Sequence, residues 1–128
     1  MSDQSDKLSR VAHVILRVSD LQRSMQFFSD TLGMTLRFNF GDFAFFDGGG
    51  VTLALNQNKA AAEFGRDLTE IVFDCADFHA AHRALQSRGL TFAREPHIVT
   101  SDATHHVWAC DFRDPDGHML SITGRVPK

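Results

Sequence analysis

His13 and Glu70 are the two side chains of this sequence best placed to move protons or hold a cation. They occupy the same position in two segments that read alike, VAHVILRVSDLQRSMQFFSDTLG from Val11 and LTEIVFDCADFHAAHRALQSRG from Leu68. A carboxylate in a partly desolvated cleft costs several kcal/mol unless it is paired. His13 could donate to Glu70, and so could Arg17, so the expectation is a His13–Glu70 contact across the junction of the two segments. Such a pair would serve structure, or act as an acid/base couple without a metal. The chain has no tyrosine, which removes another common acid/base group. Cys75 and Cys110 lie far apart and form no CxxC pair, which points to two free thiols of a reduced protein. The stretch FRDPDGHMLSI, 112–122, looks at first like a calcium loop. That loop would need an acidic residue at Phe112 and a glutamate at Thr123, and has neither. Pro115 at the second position of a turn, with Gly117 free to take positive φ, explains it as a hairpin.

The elements that must position these residues follow from the repeat. Each segment opens with an apolar strand, 11–18 or 68–75. An N-cap signal follows, Ser19-Asp20 or Asp77, whose side-chain oxygen can take a free helix N–H. Leu21, Met25, Phe28 and Leu32 then form one apolar helical stripe, and Phe78, Ala81 and Leu85 do the same in the second segment. Gly33 and Gly89 stand where a left-handed C-terminal cap is needed. Strands are expected at 35–40, 43–47 and 51–56, then at 90–94, 105–112 and 118–123. GGGVTLAL matches PDGHMLSI, which leaves about ten extra residues in the second half. They are assigned to a polar loop, 95–104, containing Pro96. Residues 58–66 read as the connection. The fold class is therefore α+β: two tandem βαβββ modules, about 10–57 and 68–124, in one domain spanning 1–128. The modules are expected to form a cupped mixed sheet with the helices on its outer face.

Alternation sorts the strand faces. Ala12, Val14, Leu16 and Val18 should lie under the first helix, and His13, Ile15 and Arg17 should point away from it. Ile71, Phe73 and Cys75 should face the second helix, and Glu70, Val72 and Asp74 should not. On the closing strands Thr52, Ala54, Met119 and Ser121 fall on the open side. Alternation also places either Phe43 and Phe45, or Ala44 and Phe46, on that side. A cleft lined by Phe43, Phe45 and Trp108, with Arg17, Ala54, His106 and Ser121, would suit a planar or apolar organic molecule.

Composition bounds the remaining classes. The 128 residues are one domain's worth, and 43% are hydrophobic, as in a globular protein. A net charge of −3 offers no basic footprint for nucleic acid. No run reaches the length of a membrane span, and residues 1–10 lack the apolar core of a signal peptide. A soluble, cytoplasmic protein is expected.

The strand–SD–helix–LGM opening, HVILRVSDLQRSMQFFSDTLGM, and the hairpin FRDPDGHML make the chain resemble the vicinal oxygen chelate superfamily. That superfamily includes glyoxalase I, bleomycin-resistance proteins, fosfomycin-resistance enzymes and type I extradiol dioxygenases. The likeness covers essentially 11–123. It implies paired βαβββ modules around a cleft, a homodimer that completes its clefts with the partner's modules, and in many members a divalent metal. The family's ligand positions fall here on His13, Ala54, Glu70 and Ser121. His13 matches directly, and Glu70 could supply an oxygen. Ala54 cannot coordinate, and the Ser121 hydroxyl stands where a glutamate would be. Two ligands are too few for a site that usually keeps three plus water, so no cofactor is assured and the metal position is expected to be lost. His105, His106 or His118 would be the residues to rescue it. The sequence thus points to a glyoxalase/bleomycin-resistance-like protein that binds a small organic molecule. The alternative is an enzyme: a metal-dependent lyase, isomerase or dioxygenase, or a metal-free acid/base catalyst using His13 and Glu70.

Overall fold

A computed structural model describes residues 11–60 and 69–128; the expected strand start at Leu68 and most of the 58–66 connection lie outside them. Module one runs β1 (His13–Val18), α1 (Leu21–Gln26), β2 (Leu36–Phe40), β3 (Phe43–Asp47) and β4 (Thr52–Gln57). Module two runs β5 (Glu70–Asp74), α2 (Phe78–Ser87), β6 (Phe92–Ser101), β7 (His105–Arg113) and β8 (Met119–Pro127). Each module builds a four-stranded mixed sheet, in the orders β1-β4-β3-β2 and β5-β8-β7-β6. The opening strand pairs parallel to the closing one, and the remaining pairs are antiparallel. The two sheets therefore repeat one topology.

The caps form as the side-chain chemistry requires. Asp20 accepts from the Arg23 N–H, and Asp77 accepts from the Ala80 N–H, each at 3.1 Å. α1 does not stop at Gln26 but widens through Phe27–Thr31, where Leu32 N–H reaches back five residues to the Phe27 carbonyl at 3.0 Å. Gly33 and Gly89 end the helical segments at φ +78° and +90°, conformations that L side chains rarely adopt.

One face of each sheet is buried, and both buried faces belong to one core. Leu16, Phe28, Phe46 and Leu55 from module one join Phe78, Phe112, Leu120 and Ile122 from module two. Burial of such side chains stabilises a fold by about 1.5–3 kcal/mol each. In β1 the exposed residues are His13, Ile15 and Arg17, as alternation requires, and in β5 they are Glu70, Val72 and Asp74.

The expected loop at 95–104 is instead mostly strand. β6 continues to Ser101, and the matching extension carries β8 on to Pro127 opposite His105. The run Ile98-Val99-Thr100 is β-branched and favours extended backbone. Register shifts between Arg94 and His97 and between Ile98 and Thr100 absorb the irregularity around Pro96. Proline is tolerated there because β6 is a sheet edge. The reversal contracts to a short turn in which Asp102 accepts from the Thr104 and His105 N–H groups.

The DPDG turn has a second role that its turn chemistry does not reveal. Asp116 reaches the start of α1, accepting from Ser19 N–H at 3.0 Å and Ser19 Oγ at 2.6 Å. Ser24 Oγ lies 3.4 Å from its other oxygen, and Arg23 lies 3.5 Å away. At the far end of the same helical segment Arg88 donates to the Thr31 carbonyl at 3.0 Å. Module two thus holds both ends of module one's helix. Asp116→Ala leaves the Ser19 donors unpaired, and we expect a loss of about 2–3 kcal/mol, charged hydrogen bonds being worth about 1.5–3. It should appear as a lower denaturant midpoint with an unchanged m-value.

Candidate functional site

With one face of each sheet in the core, the opposite face is left for chemistry. On module one it is built as rows across the strands. Ile15 pairs with Ala54, Ala54 with Phe45, and Phe45 with Phe38. Arg17, Asn56, Phe43 and Phe40 form the next row. The choice that alternation left open is settled by burial: Ala44 and Phe46 are fully buried on the helix side, so Phe43 and Phe45 face out. Their rings stack with centroids 5.7 Å apart and 12° between planes, and Phe38 stacks on Phe45 at 4.7 Å and 28°. Phe38 and Phe40 are 56% and 71% exposed, a large apolar area facing water. Ala54, only 1% exposed, forms a floor between Ile15 and Phe45.

Module two's open face is more polar. Val72 pairs with Ser121, and Ser121 with Asp111. Glu70 and Asp74 stand on either side of Val72 along β5. Ser121 is 3% exposed and occupies the place of Ala54 in the repeat. Both closing strands thus present small, uncharged side chains there.

The expected His13–Glu70 contact does not form. Both residues are exposed on open faces, and among the described residues no hydrogen bond or ion pair joins them, nor Arg17 to Glu70. The reason is topological: β1 and β5 are edge strands of separate sheets and do not pair with each other. Among the described residues, no three His, Cys, Asp or Glu side chains gather where they could hold a metal ion.

Two further ligand-binding candidates fall on the wrong side of the sheet. Trp108 packs on α2, with its ring 6.1 Å from Phe78 and 4.8 Å from His79. It lies opposite Gly124, where a Cβ would come within 3.0 Å of Phe78 Cβ and the Cys75 carbonyl. That glycine makes room for the helix. His106 shares Trp108's side of β7 by alternation and is bonded through Nδ1 to Ser101 Oγ at 2.6 Å. Sequence alone could not separate these faces, since β7 carries apolar or half-buried residues on both. The other candidates for metal rescue are also engaged: His105 Nδ1 contacts Thr104 Oγ1 at 2.7 Å. His118 Nδ1 lies 2.7 Å from buried Asp114, whose other oxygen accepts from two backbone N–H groups of the turn.

Phe38 and Ile15 join the open face although sequence reasoning did not single them out for the site. The signal for Ile15 was plain alternation in β1. For Phe38 it was obscured by a register shift between Leu36 and Phe38. The cysteines are removed from the chemistry. Cys110 is fully buried, and burial pushes its thiol up to about 12; burial raises Cys75 too. A thiol held protonated is a poor nucleophile. Iodoacetamide at pH 8 should therefore label Cys75 before Cys110 in the native protein. Mass spectrometry should find Cys110 modified only at the rate of unfolding.

Comparison with known proteins agrees with this geometry. The family model described as Glyoxalase/Bleomycin resistance protein/Dioxygenase superfamily matches residues 10–122. A probable lactoylglutathione lyase of Vibrio cholerae is 29% identical over 127 residues, covering 88% of each chain. Glutathione transferase FosA of Serratia marcescens is 29% identical over 120 residues, covering 90% of this chain and 80% of that one. Among solved structures, lactoylglutathione lyase from Agrobacterium tumefaciens superposes with a TM-score of 0.73 at 15% identity, covering 92% of this chain and 95% of that one. At that identity the likeness speaks for the fold alone.

Proposed function

Because this chain belongs to the glyoxalase/bleomycin resistance protein/dioxygenase superfamily, we propose that it is a small-molecule-binding protein whose open sheet faces take up a planar or apolar organic compound, without the family's metal. The stacked rings of exposed Phe38 and half-buried Phe43 and Phe45 carry this reading. A flat ligand can stack in series on rings already held parallel, so little side-chain entropy is lost on binding. Arg17, in the row beside them, supplies a cation for an anionic substituent. Ala54 and Ser121 place small, uncharged side chains at the corresponding positions of the two sheets. A homodimer is part of the reading, because Phe38, Phe40 and Val72 on the open faces are left exposed among the described residues.

The donor set argues in the same direction. Of the four family positions only His13 and Glu70 carry a ligand, and they stand on separate sheets. No catalytic step is assigned through a metal here. The second reading is an enzyme, a metal-dependent lyase or an acid/base catalyst using His13 and Glu70. It draws on the names of the Vibrio and Serratia relatives.

Thermal-shift screening of aromatic compounds, followed by calorimetric titration, tests the binding reading. We expect at least one compound to raise the melting temperature. Phe45→Ala should weaken its binding about tenfold, the loss of about 1.4 kcal/mol being typical of an aromatic contact. Stoichiometric uptake of cobalt or nickel, abolished in His13→Ala and accompanied by lactoylglutathione lyase activity, would favour the enzyme instead.

A further inference from the structure

We propose a second ligand site, apart from the open faces, in the seam between the two modules. It takes a single-chain amphiphile with an anionic head, of the fatty-acid kind. Two hollows of about 430 and 380 Å³ lie in that seam, each the size of a small-molecule site. Met34, Phe73 and Asp74 line both, so the hollows run in series. Module one contributes Val14, Leu32 and Met34, while module two contributes β5 and α2. Val14, Ile71 and Phe73 alternate with the outward residues of β1 and β5, so the seam lies on the helix side of the sheets.

Apolar surface that the core does not close over is the first support. Val14, Leu32, Met34, Ile71, Phe73 and Cys75 pack against the core yet stay only half-buried. Removing that surface from water favours an apolar occupant. On α2 the seam meets Ala81 and Ala84, whose side chains are too short to fill it. Met34, shared by both hollows, is unbranched and adapts to what lies against it. Two hollows in series suit a flexible chain better than the flat ring that the open faces would stack.

Charge at one end is the second support. Arg88, at the C-terminal end of α2, lines the 380 Å³ hollow. Its Nη1 donates to the Thr31 carbonyl at 3.0 Å, which holds the guanidinium across the seam. No carboxylate of the described residues forms an ion pair with it. Its remaining N–H groups are of the kind that bind a carboxylate head as a fork. Asp74 is the one acidic residue lining either hollow, and alternation turns its side chain to the open face. The 430 Å³ hollow has no other charged residue in its lining, and Gly48 and Gly49 bring no side chains to close it. An apolar tail therefore belongs in that hollow and the head beside Arg88.

Decanoate, kept below the concentration at which it forms micelles, and its neutral counterpart decanol are the probes. Both should bind in calorimetric titration, and decanoate should slow iodoacetamide labelling of Cys75 several-fold, since Cys75 lines the hollow. Arg88→Gln should weaken decanoate about tenfold, the worth of a charged hydrogen bond, and leave decanol unchanged. Ala84→Leu fills the hollow from α2 and should abolish binding of both. Phe45→Ala, on the open face, should bind decanoate as wild type does. No binding of either probe, Cys75 labelling indifferent to decanoate, or equal weakening of both probes by Arg88→Gln would each overturn the proposal. Wild-type affinity in Ala84→Leu, or decanoate binding lost in Phe45→Ala, would do so too.

Discussion

The shared core constrains everything else in this protein. Each sheet has one face that must leave water, and both such faces go into a single cluster running from Leu16 and Phe46 to Phe112 and Ile122. Neither module keeps a buried face to itself, so they are held together by the same burial that folds them. Asp116 and Arg88 then fix the ends of α1 against module two. What remains outward is set by subtraction: alternation in each strand leaves every second residue for the open faces.

That subtraction also explains why His13 and Glu70 do not meet among the described residues. His13 and Glu70 are equivalent in the repeat, but equivalence places each at the edge of its own sheet. The closing strands that would add donors present Ala54 and Ser121, both almost fully covered by their neighbours. Three of the histidines elsewhere are engaged in local contacts. His118 locks the turn against Asp114, His106 is tied to Ser101, and His79 packs edge-on to Trp108. Apolar surface is what the open faces have in quantity, and it lies mainly on module one.

Aromatic rings illustrate how the same residue type serves two ends. Phe28, Phe46, Phe78 and Phe112 are fully buried and build the core. Phe43 and Phe45 alternate with the buried Ala44 and Phe46 along β3, yet stack with each other and with Phe38 on the other face. Only their position in the pleat distinguishes them.

The sequence by itself determined the repeat, the order of elements, the aspartate caps and glycine stops, and which residues of β1 and β5 turn away from the core. These depend on local periodicity and on backbone chemistry within a few residues. Tertiary structure alone decided the rest. Phe43 and Phe45 could be assigned to a face only after β3 was laid against β4, because that strand is apolar on both sides. Trp108 and His106 went to the helix side because Gly124, paired opposite Trp108, admits α2 closely there. The 95–104 segment became strand because β7 and β8 lengthen with it, a pairing between residues far apart in the chain. The separation of His13 from Glu70 has the same origin. Which edges meet is a property of sheet order, and no spacing within one strand encodes it.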